Sequence, residues 1–98
     1  MSSPESRDLA GDRVIAGFRD EITALDVRLV ETVNARLKAV KALRAYKAER
    51  GLAFLDPDRE AWLAAYVRRA NRGPLSDEAV DELCRFVLEL VKRETADA

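Results

Sequence analysis

Arg36 and Lys47 stand eleven residues apart in the stretch "NARLKAVKALRAYK", which otherwise spaces apolar side chains at helical intervals. At about 100° per residue they point within about 20° of each other, three turns apart, roughly on the face that carries Leu29, Val40 and Leu43. Unpaired, two cations on such a stripe cost roughly several kcal/mol. An anion must meet them. Internal carboxylates such as Asp56 or Glu60 are one source, and snorkelling of the long side chains to solvent is a way around the need. A bound anionic ligand is the other answer. Read together with Lys38, Lys41, Arg44 and Arg50, the same cations would make a basic face for nucleic acid. Those residues are spread around the helix without interleaved aromatics, in a chain of net charge −1, so no nucleic-acid partner is expected.

Composition narrows the chemistry further. The 98 residues suffice for one domain, with 17 basic and 18 acidic side chains and no histidine. A Ser-His or Cys-His nucleophile and a histidine metal site are therefore excluded. The one cysteine, Cys84, lies in "VDELCRFVLELV" and reads as a buried core thiol. A single cysteine forms no internal disulfide, which fits a reducing, cytoplasmic setting. "MSSPESRDLAGDR" has no apolar core of the kind a signal peptide or anchor needs. No apolar run approaches the ~18 residues of a membrane helix, so no membrane partner is expected. If the chain is an enzyme, Arg, Lys, Asp and Glu must do the work.

The elements that would hold these residues are all helical, since runs of β-branched residues with period two and Asn-Gly hairpin signals are missing. A first helix is expected from Asp12 to Arg50, carrying Ile15, Phe18, Ile22, Leu25, Leu29, Val33, Val40 and Leu43 on its stripe, with Gly51 as a left-handed C-cap. A second begins at "LDPDRE", where Asp56 suits the N-cap, Pro57 the first turn, and Asp58 and Glu60 the positive end of the dipole. It should turn Trp62, Leu63, Tyr66 and Val67 inward. Ser76 caps a third, which buries Val80, Cys84, Val87 and Val91 and runs to about Glu94. Residues 1–11 read as a flexible N-terminal segment, residues 12–95 as the domain, and the last few residues as frayed.

Length carries an expectation about assembly. A helix of about 39 residues is ~58 Å long, whereas a compact chain of this size has a radius of gyration near ~13 Å. Its apolar stripe runs the full length, so the far half needs a cover. A second copy is the simplest one, giving an intertwined helical dimer.

"FRDEITALDVRLVETVNAR", "YK", "GLAFLDPDRE" and "GPLSDEAVDELCRFVLEL" together resemble the all-helical chorismate mutases. The resemblance covers roughly residues 15 to 94, and its specific part is the ordered set Arg19, Arg36, Lys47, Asp56, Arg59 and Glu60. It implies a domain-swapped homodimer of three-helix chains that converts chorismate to prephenate, on the way to phenylalanine and tyrosine. Each site would use one chain's Arg36, Lys47, Asp56, Arg59 and Glu60 with Arg19 of the other chain. The rearrangement is pericyclic and needs no proton transfer, nucleophile, metal or cofactor. Holding the dianion in a near-attack geometry is what helps. On this reading Arg19 and Arg36 take the carboxylates with their planar forks. Lys47 stabilises charge growing on the ether oxygen, and Glu60 takes the ring hydroxyl. Arg59 orients these groups or assists with a carboxylate, and Asp56 caps its helix and presents its backbone to the hydroxyl.

Val91 and Thr95 fall where many relatives carry Ser and then Gln or Glu, so the ether-oxygen side of the pocket is expected to lack a good second donor. Some family members are weak alone and are activated by the first enzyme of the shikimate pathway, which makes that enzyme a candidate partner. Two rivals share the fold: an isochorismate pyruvate lyase, which "DPDRE" fits less well, and a 4-amino-4-deoxychorismate mutase, whose amine Glu60 would tolerate. A helical regulatory or interaction protein is the reading from outside enzymology.

Overall fold

The structure, a computed structural model, describes residues 11–96. The flexible segment expected over residues 1–11, apart from Gly11, and the end of the frayed tail lie outside them. Three helices follow one another: α1 Asp12–Glu49, α2 Pro57–Ala70 and α3 Asp77–Thr95. Among the described residues there is no strand. The all-α expectation holds, with helix ends within a residue of those expected. Among the described residues, no helix is long and apolar enough to cross a membrane.

The chain divides into two units, one ending at Ala35 and one beginning at Arg36. The described part of the first is α1 from Asp12 onward, opened by a turn in which Val14 N donates to Gly11 O (3.2 Å). A single helix has nothing to fold against. Phe18 is accordingly 61% exposed, and Val14, Ile15, Ile22, Leu25, Leu29 and Val30 are exposed with it. The sequence pattern marks this stripe as apolar, but no residue of α1 is buried.

The second unit begins with the last turns of α1, which stop at a Schellman motif. Gly51 takes φ +67, Gly51 N donates to Ala48 O (3.2 Å) and Leu52 N to Lys47 O (2.9 Å). The left-handed conformation makes glycine the natural residue there. α2 starts as expected: Asp56 Oδ1 accepts from Arg59 N (3.0 Å), with Pro57 in the first turn. Ser76 Oγ accepts from Ala79 N (3.1 Å) and caps α3. Each cap satisfies a donor that the first helical turn leaves without a partner.

α2 packs against α3. Val80 and Val91 are buried, and Leu63, Val67, Cys84 and Val87 are half-buried. Arg68 bridges the end of α2 to the start of α3, reaching Asp77 (3.8 Å) and Asp81 (3.7 Å). One expectation needs correction. Trp62 and Tyr66 do not turn inward; both are about half exposed and their rings stack on each other at 5.0 Å. With α3 alone packed against it, α2 has one covered face, and the two rings shield each other outside that face. Cys84 and Val87 are likewise less buried than expected.

Candidate functional site

Seven of the eight expected site residues lie in the second unit: Arg36, Lys47, Asp56, Arg59, Glu60, Val91 and Thr95. Arg19 lies on the exposed helix of the first.

Arg36 is half-buried, and its Nη1 is fully enclosed with no hydrogen-bond partner. An enclosed donor without an acceptor costs about 1–3 kcal/mol, more when charged. Lys47 is half-buried in the last turn of α1, where a cation complements the helix dipole. Its carbonyl serves the Schellman cap, which anchors its backbone. Among the described residues no ion pair joins either cation to Asp56 or Glu60. Those carboxylates are engaged elsewhere, Asp56 as the cap of α2 and Glu60 through its Oε2, 3.7 Å from Lys92 Nζ. Internal pairing, the first alternative for Arg36 and Lys47, is therefore not what this structure uses.

Arg59 sits one turn into α2 with its guanidinium 4.5 Å from the Trp62 ring centroid. Cation–π contact holds the fork at the helix surface without consuming its hydrogen-bond donors. At the far end of α3, Val91 is buried and Thr95 is only 1% exposed. Thr95 Oγ1 donates back to Val91 O (2.8 Å) and lies 3.3 Å from Lys92 O. That hydroxyl proton is thus committed to the helix, and neither Val91 nor Thr95 offers a ligand a side-chain donor.

Two residues that sequence reasoning left out of the site hold it together. Arg44 Nη1 donates to Thr95 O (2.6 Å), and its guanidinium lies 5.1 Å from the Phe54 ring centroid. Lys92 meets Glu60. In sequence, Arg44 reads as one more member of a basic run; Lys92 stands in the last turn of α3, where a cation complements the dipole. The run itself is broken up: Arg44 is engaged as described, and Arg50 lies over Tyr46 at 3.5 Å and beside Glu49 at 3.7 Å. It offers no continuous basic face. A groove lined by Ala79, Glu82, Leu83, Arg85, Phe86 and Glu89 lies along α3 and contains none of the site residues. Among the described residues, no group of three or more carboxylates or thiols gathers as a metal site.

What the second unit presents is cationic: an enclosed guanidinium nitrogen lacking an acceptor, a half-buried ammonium on the same helix, a guanidinium fork held on an indole, and a carboxylate with one oxygen already engaged. Such a set suits an anion with more than one carboxylate.

Comparison with known proteins gives this chemistry a context. A family model described as chorismate mutase type II matches residues 18–95. The chain is 27% identical over 85 residues to a bifunctional chorismate mutase/prephenate dehydratase of Pseudomonas aeruginosa, covering 82% of this chain and 23% of that protein. It is 30% identical over 80 residues to a protein of the same description from Stutzerimonas stutzeri, covering 76% of this chain and 22% of the relative. The chain thus spans about a quarter of the length of these curated relatives. A chorismate mutase structure (form I) from Thermus thermophilus superposes with a TM-score of 0.76 at 26% identity, covering 79% of this chain and 96% of that one.

Proposed function

Because the chain belongs to the chorismate mutase type II family, we propose that it converts chorismate to prephenate, the step that commits carbon to phenylalanine and tyrosine. The observation that carries this reading is the Arg36 nitrogen, enclosed and without an acceptor. A substrate carboxylate supplies what it lacks.

The reaction breaks one C–O bond and forms one C–C bond in a single cyclic step. No proton leaves or enters, so the residues act by orientation and charge. Arg36 and Arg19 grip the two carboxylates and fold the enolpyruvyl side chain over the ring. Lys47 stabilises the negative charge that grows on the ether oxygen as the C–O bond stretches. Arg59 swings between the Trp62 ring and a substrate carboxylate. Glu60 accepts the ring hydroxyl through Oε1, since Oε2 faces Lys92. Asp56 fixes the start of α2 and so the placement of Arg59 and Glu60. Val91 and Thr95 close the ether-oxygen side as a wall without a donor.

The functional domain is residues 12–95, working in the cytoplasm as an intertwined, domain-swapped homodimer in which Arg19 reaches the partner's site. The exposed stripe from Val14 to Val30 supports this, because a second copy would cover it. The donor-poor wall favours a chain that is slow alone and faster in complex with the first shikimate-pathway enzyme. Separate incubation with chorismate, isochorismate and 4-amino-4-deoxychorismate tests the assignment. Prephenate from chorismate is the expected product. Pyruvate and salicylate from isochorismate, or rearrangement of the amine compound alone, would replace it with a sister activity. Binding without any product would favour a regulatory protein.

A further inference from the structure

The pair between Glu60 and Lys92 carries more than a structural link. Lys92 Nζ lies 3.7 Å from Glu60 Oε2, with the side chains 47% and 32% exposed, and it ties the first turn of α2 to the last turn of α3. Only one carboxylate oxygen is engaged. Among the described residues no ion pair engages Oε1, which leaves that oxygen able to accept a hydrogen bond from a ligand. A carboxylate with an ammonium beside it is close to a neutral pair. It still accepts a hydrogen bond from a hydroxyl, but it has little charge left to attract a second cation. An aliphatic amine on a ring is protonated near neutral pH. Bound at Oε1, that ammonium would sit roughly 5–9 Å from Lys92 Nζ, depending on the angles at the two carboxylate oxygens. Like charges at that separation repel even with partial solvent screening.

We propose, on the assignment of Glu60 to the ring substituent, that Lys92 is a specificity-determining residue: it selects a dianion whose ring bears a neutral hydroxyl over the analogue whose ring bears a protonated amine. Glu60 alone would accept either donor, and by charge would favour the amine. Lys92 reverses that preference without touching the reacting atoms.

The test compares wild type, Lys92→Gln and Lys92→Arg. Each is titrated calorimetrically with the hydroxyl compound and with its amine analogue, and assayed on both. Lys92→Gln should shift the amine-to-hydroxyl ratio of affinities, and of kcat/KM, toward the amine by about two- to fivefold. Lys92→Arg keeps the charge and should hold the wild-type ratio. An unchanged ratio in Lys92→Gln overturns the proposal, as does a Lys92→Arg ratio that moves just as far. A wild type that binds both compounds but rearranges neither would sink the mutase assignment alone, because the affinity ratios still report the selectivity.

Discussion

Arg44 Nη1 donates to the main-chain oxygen of Thr95 across 2.6 Å and fifty-one positions of sequence. This bond, with the Arg44 guanidinium over Phe54, holds the end of α3 to the closing turns of α1. A charge-assisted bond to a carbonyl at a helix C-terminus also complements the dipole. Arg44→Ala should therefore lower stability by about 1.5–3 kcal/mol, read as a fall in the denaturant midpoint, with faster amide exchange over Leu90–Thr95. Arg44→Lys should recover part of it. An unchanged midpoint would show that the end of α3 is held by other contacts.

Arg36 should show the opposite balance. Its enclosed nitrogen lacks an acceptor, so Arg36→Met should leave stability unchanged or raise it by up to ~3 kcal/mol, while mutase activity falls at least about a hundredfold. A bound dianion should raise the melting temperature of wild type but not of Arg36→Met. A strongly destabilised Arg36→Met would mean that a protein group, and not the substrate, meets this cation.

Lys47→Ala separates transition-state stabilisation from binding. Loss of the ammonium should reduce kcat by ~10²–10³ with a smaller change in KM. Steady-state rates across substrate concentration distinguish this from a raised KM at constant kcat, which would make Lys47 a general anchor for the dianion.

The proposed sharing of Arg19 between chains makes a prediction about mixtures. Sedimentation at micromolar concentration should give a mass near twice 11.0 kDa. Arg19→Ala and Arg36→Ala homodimers should each be nearly inactive, and their exchange should restore up to one working site per mixed dimer. Proven subunit exchange without recovery would place Arg19 outside the partner's site.

Thr95 tests the wall. Its hydroxyl is spent on the Val91 carbonyl, so Thr95→Val, similar in shape, should keep turnover within about twofold and cost only ~0.5–1.5 kcal/mol of stability. A tenfold loss of turnover would show that the hydroxyl reaches the substrate. Thr95→Gln supplies a longer donor, but into a position 1% exposed. It should cost ~1–3 kcal/mol by overpacking, and a rise in kcat would appear only if the helix end gives way.

The helix ends were legible because each has a local chemical signature. Gly51 needs only its own backbone to stop α1, and Asp56–Pro57 and Ser76 start their helices within three residues. The cationic set was legible for a related reason: Arg36 and Lys47 break a periodic pattern, and the break shows without any tertiary knowledge. Glu60–Lys92 and Arg44–Thr95 were not, because they join positions dozens of residues apart through long, flexible side chains. No local pattern encodes such reach. Trp62 and Tyr66 show a different limit. Periodicity says which face of α2 is apolar, but not whether another helix, a neighbouring ring or a second chain will cover it.

The stack of Arg59, Trp62 and Tyr66 also gives the protein an optical property. Trp62 is the sole tryptophan of the chain, with a guanidinium 4.5 Å from one ring and a phenol ring 5.0 Å away. Indole emission depends on the charges and solvent around the ring. If Arg59 leaves Trp62 for a substrate carboxylate, as proposed above, the indole loses the guanidinium now 4.5 Å from its ring centroid. Intensity and wavelength should change together. Occupancy of each site would then be readable in milliseconds from intrinsic fluorescence, with no label and no product formed.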